Sequence, residues 1–402
     1  MLFAHIADCH IGGWRDPKMK DIQMNAFCKA VDMALERKVD FIIIAGDLFN
    51  TSLPNIDNLK DTTTKLKEVK DKNVPVYIIP GSHDFSPSGK TMLDVLENAG
   101  LVKNVCRGEV ADNVLKLKFI VDPKTGAKLT GIIGLRGMLD KKYYEALDRA
   151  SLEKESGKKI FLWHTSLTEL LPKKFAQIES TPLSMFPKGF FYYAGGHIHD
   201  PKKIAVKDYG IVAQTGALFP NSFSELEEYG HGGFYVVEDE NVEFVPVKLF
   251  ERVKIEINCD GKNPQKVEEE ILAQKNKITK NCLVTIRLEG TLESGKPSEI
   301  DFRKIFLEFE NAGAYNILKN TAKLNSKEFE EIKISTSPVE DVEEKIIKEH
   351  LGQFSIGMVP DEEYTLIKQL MSVLYTERGE GEKVADYEAR VKKEVLTILK
   401  IE

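Results

Sequence analysis

Five of the eight histidines stand in short polar clusters spread over the first half of the chain. The clusters are Asp8-Cys9-His10, Gly46-Asp47, Gly81-Ser82-His83-Asp84, His164 and Gly196-His197-Ile198-His199. Carboxylates and neutral imidazoles suit divalent ions such as Mn²⁺, whereas sites rich in thiolates select softer metals. Two such ions roughly 4 Å apart can hold the attacking and leaving oxygens of a phosphodiester and acidify the attacking water. The clusters therefore predict a two-metal site for phosphodiester hydrolysis.

The residue types also indicate how the ligands divide between the two ions. Only one carboxylate can conveniently lie between two ions, and Asp47, on a turn introduced by Gly46, is the candidate bridge. Three further residues are expected around each ion, namely Asp8, His10 and His199 around the first, and His164, His197 and Ser82 around the second. His83 has no ligand role in this scheme, so it is free to protonate the departing alkoxide or to bind the scissile phosphate.

Short apolar runs precede the clusters and predict the strands that position them. The runs are Leu2–Ala7, Asp40–Ala45, Val76–Pro80, Lys159–Trp163 and Phe190–Ala194, followed by Ile211–Ala213, Gly233–Val237 and Val242–Leu249. Apolar residues at helical spacing from Ile22 to Leu35, and again in Leu59–Lys70, complete the strand and helix alternation of an α/β domain. Because ligands bind at the carboxyl ends of strands in such domains, we expect five consecutive strands to bring the clusters to one edge.

The pattern changes after residue 250 and predicts three further segments. Residues 251–325 are typical of a small α/β domain, residues 326–360 of a charged linker, and residues 361–402 of a helical module. Each terminal helix has one apolar face, which contains Tyr364, Ile367, Leu370, Met371 and Leu374 in the first helix and Val384, Tyr387 and Val391 in the second. These helices are either core elements of the small domain or a docking module, and their position after the linker favours docking.

The charge of the chain is unevenly distributed. The 402 residues have a net charge of −7, but residues 327–402 hold 11 basic and 18 acidic side chains, and residues 1–326 hold 45 of each. A neutral catalytic part that carries two divalent ions does not exclude a nucleic-acid substrate. The five cysteines lack the spacing of a zinc site, and no apolar run reaches 18 residues. We therefore expect a cytoplasmic protein with no membrane segment.

Together the clusters resemble those of the calcineurin-like metallophosphoesterases. Within that superfamily, three features are similar to the DNA double-strand-break nucleases Mre-eleven and SbcD. They are the run from His5 to Gly12, the run Gly46-Asp47-Leu48-Phe49, and Gly216 followed by Asn221-Ser222-Phe223-Ser224-Glu225 and then Gly233-Phe234. The resemblance implies an α/β fold: a sandwich of mixed sheets flanked by helices, a small α/β capping domain that contacts DNA, and terminal helices that bind a Rad-fifty-type coiled-coil ABC ATPase.

The resemblance also has implications for activity. It implies two Mn²⁺ ions, with Mg²⁺ as a substitute, and both exonuclease activity on double strands and endonuclease activity on single strands. It places the protein at DNA ends in double-strand-break repair, associated with the nucleoid. It further implies a homodimer formed through helices of the phosphoesterase domain, for which Ile22–Leu35 and Leu59–Lys70 are both candidates.

Two residues depart from the family pattern. The family usually has an asparagine ligand where Ser82 stands, and often a histidine where Asn50 stands. A serine hydroxyl is shorter and a weaker ligand, so the second ion would bind loosely or through water. Asn50, Ser222 and Phe223 are candidates for the substrate side of the site. Two other functions stay open: hydrolysis of a small phosphodiester or phosphomonoester, and a scaffold that binds DNA ends through a weakened metal site.

Overall fold

The computed structural model describes residues 1–86, 91–330, 347, 360–378, 382 and 384–400. The chain divides into two compact units, residues 1–326 and residues 327–402. Residues 251–325, predicted as a separate capping domain, belong to the first unit and have a hydrophobic cluster of their own. Most of the predicted linker, residues 331–346 and 348–359, lies outside the described residues.

The first unit contains two six-stranded sheets and a small hairpin. The order of strands in the first sheet is β14 (Asn241–Val247), β13 (Gly232–Glu238), β1 (Leu2–Ile6), β2 (Phe41–Ala45), β3 (Val76–Ile79) and β4 (Lys103–Asn104). The order in the second sheet is β11 (Lys202–Val206), β12 (Gly210–Gln214), β10 (Tyr192–Gly196), β9 (Lys159–His164), β8 (Lys128–Gly131) and β7 (Ile120–Val121). The hairpin pairs β5 (Gly108–Ala111) with β6 (Val114–Leu117). Strands β1 to β4 run parallel, as do β8, β9, β10 and β12.

The two sheets pack face to face between two layers of helices. One hydrophobic cluster lies between the sheets and another under the helices of the first sheet, which are α1 (Pro17–Glu36), α2 (Ile56–Asp71) and α3 (Met92–Asn98). A third covers the outer face of the second sheet beside the short helices α4 (Lys141–Ala146) and α5 (Arg149–Lys154). The strands of the inner layers are uniformly apolar because both of their faces are covered. The predicted sandwich of mixed sheets is confirmed.

Residues 252–326 form a three-stranded parallel sheet beside the sandwich. Its strands are β15 (Arg252–Asn258), β16 (Cys282–Leu292) and β17 (Ala314–Ser326), and its helices are α7 (Pro264–Leu272) and α8 (Phe302–Ala312). The helix α6 (Phe223–Tyr229) precedes this segment and contacts β16. The segment therefore packs against the sandwich through helix α6.

The second unit contains α9 (Lys327–Glu330) and a pair of helices, α10 (Pro360–Leu374) and α11 (Val384–Leu399). The pair packs together, and the hydroxyl of Tyr387 donates a hydrogen bond of 3.0 Å to the carbonyl oxygen of Thr376. Large apolar side chains remain at the surface of this pair, including Leu374 and Tyr375, which are 62% and 67% exposed. Nowhere in the described ranges is a helix long and apolar enough to cross a bilayer.

His5 is a packing residue between the two sheets. Its side chain is fully buried, and its Nδ1 atom lies 2.9 Å from the hydroxyl of Tyr192. Burial lowers the pKa of His5 from 6.5 to about 3. Between pH 6.5 and about 3 the folded chain therefore holds a neutral imidazole where the unfolded chain binds a proton.

We predict that His5 makes stability depend on pH between pH 6.5 and 3. Because its folded pKa is depressed, its contribution is fully present above pH 6.5 and is lost by about 1.4 kcal/mol per pH unit as the pH falls below 6.5. Between pH 7.5 and 5.5, the free energy of unfolding of the metal-free original chain should therefore fall by about 1.4 kcal/mol more than that of His5→Phe. Tyr192→Phe, which keeps the imidazole, should retain the pH dependence. A gap between the original chain and His5→Phe that does not change with pH would refute this assignment.

Candidate metal centre

The polar clusters meet where the parallel strands of both sheets end. Asp8 and His10 follow β1, Asp47 follows β2, and the loop from Gly81 follows β3 in the first sheet. His164 ends β9, and His197 follows β10 in the second sheet. The expectation that five consecutive strands bring the clusters to one edge is wrong. The clusters follow strands of two different sheets, and face-to-face packing of these sheets aligns the carboxyl ends of their parallel strands along a common rim.

The backbone around the rim is held in an uncommon conformation. Asp8, His10, Asp47 and His197 have φ angles of 50°, 44°, 51° and 89°. Left-handed conformations cost non-glycine residues of order 1–3 kcal/mol and persist only where the surroundings enforce them. The turns after β1 and β2 enforce them mutually, since the backbone N–H of Asp8 donates to Gly46 at 3.1 Å and that of His10 donates to Asp47 at 3.0 Å.

Asp47 lies at the centre of the cluster. Its Oδ1 atom accepts a 2.7 Å hydrogen bond from the backbone N–H of His83. Its Oδ2 atom lies 3.0 Å from Nε2 of His164, 3.8 Å from Nε2 of His10 and 3.4 Å from Oγ of Ser82. The carboxylate is 2% exposed, so its charge is compensated by neighbouring groups and little by water.

Three overlapping groups of side chains among the described residues could hold a metal ion. They are Asp8, His10 and His199; Asp8, Asp47 and His164; and His10, Asp47 and His83. The ligand atoms within each group lie within 4.8 Å of one another. The first group contains the three residues predicted around the first ion, without the bridging Asp47. The structure therefore brings six of the eight chemistry-bearing residues into such groups.

His197 and Ser82 lie beside these groups without belonging to them. The ring of His197 packs edge-on against that of His164, with centroids 5.2 Å apart, and its backbone N–H donates to both Asp8 oxygens at 3.0 and 2.9 Å. Ser82 is buried, and its hydroxyl lies nearest Asp47. A metal role for these two residues stays a prediction.

The electrostatics of the site keep two of the imidazoles neutral and pair a third, His164, with the Asp47 carboxylate. Burial, followed by the nearby His199 ring, holds the pKa of His10 well below its usual range. Burial, followed by His164, lowers the pKa of His197 to about 3. Burial opposes the charge on His164, but Asp47 overrides it and raises the pKa of His164 to about 10. The same pairing lowers the pKa of Asp47 against its own burial.

The donor set fits a divalent cation. Nδ1 of His164 donates to the carbonyl oxygen of Ala45 at 2.8 Å, which directs Nε2 toward Asp47. That Nε2 atom is buried and makes no well-directed hydrogen bond, although the carboxylate oxygen is 3.0 Å away. Nε2 of His10 and Nε2 of His199 likewise face each other at 3.0 Å. A proton needs a directed bond, whereas a cation attracts lone pairs from several directions, so carboxylate and imidazole ligands arranged in this way suit a metal ion.

His83 lies at the open side of the cluster. Its Nδ1 atom lies 2.8 Å from the backbone carbonyl oxygen of Asn50, which fixes the ring and leaves Nε2 available. Asn50 contacts His83 through its backbone carbonyl. This contact therefore does not depend on the side chain at position 50, where the family often has a histidine. Ser222 caps α6, its hydroxyl accepting from the backbone N–H of Glu225 at 3.2 Å, and Phe223 packs under the guanidinium of Arg287 at 5.2 Å.

Three residues near the site were not given roles from the sequence. Arg136 is exposed and donates through Nε to the carbonyl oxygen of Ser82 at 3.1 Å, with Nη2 3.5 Å from Nδ1 of His83. Asp84 accepts from three backbone N–H groups that join the turns after β2 and β3. Glu225 lies 3.0 Å from Nδ1 of His199. Asp84 and Glu225 stand in the quoted motifs, whereas no pattern marks Arg136.

Comparison with known proteins agrees with this geometry. The model of the calcineurin-like phosphoesterase family matches residues 1–201. A DNA double-strand break repair protein Mre11 from Archaeoglobus fulgidus is 26% identical over 98% of this chain and 90% of its own length. Proteins of the same name from Sulfolobus acidocaldarius and Saccharolobus solfataricus are 27% and 31% identical. The former alignment covers 84% of this chain and 87% of the relative, the latter 58% and 59%. The chain belongs to the calcineurin-like phosphoesterases, in the Mre11 family of that group.

Proposed function

We propose that this protein is a Mn²⁺-dependent DNA nuclease that processes DNA ends in double-strand-break repair. The observation that carries the proposal is the position of Asp47, which belongs to two of the three metal-capable groups and lies beside His83. The names of the archaeal relatives support DNA as the substrate. Both double-strand exonuclease and single-strand endonuclease activity follow from the family resemblance.

The residues that would hold the two ions follow from the clusters. Asp8, His10 and His199 would hold the first ion, His164, His197 and Ser82 the second, and Asp47 both. When bound, the ions would acidify the attacking water and stabilise the developing charge on the phosphate. The weak Ser82 hydroxyl makes the second site the less tightly held of the two, and Mg²⁺ is an alternative because the ligands are oxygen and imidazole nitrogen.

His83 and Arg136 would act on the substrate. The Asn50 carbonyl oxygen occupies the Nδ1 side of His83, so in the imidazolium form Nε2 would be the nitrogen that gives its proton to the departing alkoxide, leaving a neutral ring protonated on Nδ1. Arg136 is fixed at Nε by the Ser82 carbonyl and carries a permanent positive charge beside His83. A guanidinium held in this way is suited to bind a phosphate oxygen.

We predict different defects for the central carboxylate and for the two substrate-side residues. Asp47→Ala should abolish cleavage of linear double-stranded and circular single-stranded DNA together with Mn²⁺ binding, measured by calorimetric titration. His83→Ala should keep Mn²⁺ binding and lose cleavage by roughly 10²–10⁴-fold. Arg136→Ala should keep Mn²⁺ binding and lose roughly 100-fold, with partial recovery in Arg136→Lys.

The same assays separate the competing functions. Normal cleavage by Asp47→Ala or His83→Ala rejects the assigned roles. Turnover of a small phosphodiester such as bis(4-nitrophenyl) phosphate, with no activity on DNA, would favour a phosphodiesterase. If the original chain binds DNA ends without cutting and Ser82→Asn restores cleavage, the protein is an end-binding scaffold with a weakened second site.

We also propose that the protein forms a homodimer through the surface around α2. The apolar side of α1 is buried on the first sheet, so this helix has little apolar surface left for a second copy of the chain. By contrast, Ile56 at the start of α2 is 83% exposed, Leu53 before it 73%, and Val95 in α3 54%. The start of α3 lies beside the loop before α2, since the backbone N–H of Met92 donates to the carbonyl oxygen of Ser52 at 3.3 Å, and apolar side chains exposed on neighbouring elements indicate an interaction site.

We predict that Ile56→Glu shifts the chain from dimer to monomer in sedimentation-velocity experiments. A glutamate in the centre of an apolar interface would be buried without a partner for its charge, which costs several kcal/mol of binding free energy. Val110→Glu, on the exposed β5 and β6 hairpin, is the matched control and should leave the sedimentation coefficient unchanged. A dimer that persists in Ile56→Glu contradicts the assignment of this surface.

We further propose that α10 and α11 bind a Rad-fifty-type coiled-coil ABC ATPase. The predicted apolar residues of α10 are partly buried up to Met371, while Leu374 at the end of the helix is exposed. In α11, Tyr387 and Val391 are partly buried and Leu399 is 38% exposed. Apolar groups left at the surface after the two helices have packed together support a partner that covers them.

We predict that deletion of residues 361–402 abolishes co-purification with this ATPase while Mn²⁺-dependent cleavage by the isolated chain continues. In the full-length chain, Leu374→Glu combined with Leu399→Glu should weaken binding at least tenfold, whereas Leu307→Glu, at an exposed leucine of α8, should have no effect. Capture of the truncated chain by the ATPase would contradict this role.

A further inference from the structure

The short helix α6 lies between the candidate metal centre and the sheet of residues 252–326. On its inner side, Oε1 of Glu225 lies 3.0 Å from Nδ1 of His199. The other oxygen, Oε2, accepts a 2.8 Å hydrogen bond from the backbone N–H of Asn221, so the carboxylate is held at both ends. With Nδ1 of His199 paired with Glu225, Nε2 is the nitrogen left for a metal ion, and it faces Nε2 of His10 at 3.0 Å and Oδ1 of Asp8 at 3.8 Å.

The outer side of α6 is bound by two arginines from the neighbouring sheet. Nε and Nη2 of Arg287 in β16 donate to Oε2 of Glu227 at 2.8 and 2.5 Å. Glu227 is buried, and its Oε1 atom has no hydrogen-bond partner in the part of the chain that the structure describes. Arg252 in β15 donates to the carbonyl oxygens of Leu226 and Glu227, at the carboxyl end of the helix. A cation there complements the helix dipole.

We propose that Glu225 is the positioning residue of His199 for the first ion, and that Arg287 sets the position of Glu225 by holding α6 through Glu227. This inference rests on the proposed Mn²⁺ centre. Histidines that ligate metals donate their second nitrogen to a carboxylate or carbonyl that fixes ring orientation and tautomer, and loss of that partner typically weakens metal binding 10–100-fold. The path from Arg287 through Glu227 and Glu225 to His199 makes the first metal site depend on the placement of β16.

A matched residue on the same helix provides the control. Glu228 is 50% exposed and pairs with Lys174 at 2.6 Å, away from His199. Glu228→Gln therefore removes the same charge from the same helix without touching the path. For Arg287, the exposed Lys254 in β15, which pairs with Glu256 at 2.7 Å, is the corresponding control as Lys254→Met.

The test is calorimetric titration of the metal-free full-length chain with Mn²⁺, with Co²⁺ absorption spectra as a second readout. The original chain should bind two equivalents. Glu225→Ala should weaken the binding of one equivalent by about 10–100-fold, leave the affinity of the other unchanged, and alter the visible Co²⁺ band. Glu225→Gln keeps an acceptor oxygen, so its affinity should lie between those of the original chain and Glu225→Ala. Arg287→Met should weaken the same equivalent less, and Glu228→Gln and Lys254→Met should match the original chain.

The outcomes separate this inference from the proposed function. If the original chain binds no Mn²⁺, the metal centre itself is rejected. If it binds two equivalents and Glu225→Ala or Glu225→Gln binds both with unchanged affinity and spectrum, the role of Glu225 is rejected. Because Arg287 acts through Glu225, the variant with both Glu225→Ala and Arg287→Met should bind no more weakly than Glu225→Ala alone; additive losses would overturn the proposed path. Circular dichroism of each variant identifies any that has not folded. If Glu225→Ala does not fold, the Mn²⁺ affinity of Glu225→Gln tests the role of Glu225.

Discussion

The burial of Asp8 and Asp47 is the constraint on which the rest of the rim depends. Two carboxylates removed from water must be compensated by protons, donors or cations, because an isolated buried charge is far too costly. Backbone N–H groups of His197 and His83 supply part of this compensation, and the facing imidazoles supply part. The remainder is the charge that divalent ions would bring. The left-handed turns, the buried histidines and the convergence of two sheets all serve to hold these carboxylates in place.

Much of this site could be predicted from residue types and their order. Polar residues directly after apolar runs are visible in a sequence, and the strands at Leu2–Ile6, Phe41–Ala45 and Val76–Ile79 lie within one residue of the runs that indicated them. The strand expected at Phe190–Ala194 lies two residues later, at Tyr192–Gly196, which places His197 directly at its end. The hydrophobic pattern does not determine the conformation of glycines, so it does not locate the end of a strand that finishes in Gly195 and Gly196.

The residue pattern alone could not predict which strands belong to which sheet of the sandwich, nor the short strands of residues 103–131. Pairing between sheets is a long-range choice, and runs such as Val114–Leu117 alternate exposed and buried residues over only four positions. Arg136 had no local signal because its importance comes from where the loop places it. Glu225 stood in a motif, but its partner His199 is distant in sequence, so only the folded chain brings the two together.

Because the candidate ligands come from both layers of the sandwich, an ion bound among them would join one sheet to the other at their common rim. Asp47 follows a strand of the first sheet and His164 ends a strand of the second, and the apolar core between the two sheets otherwise holds the layers together. Metal binding would then act as a crosslink across that core, so the chain without metal should open first at the rim and the loaded chain should unfold as one cooperative body. Catalytic and structural roles of the cations would be inseparable in this protein.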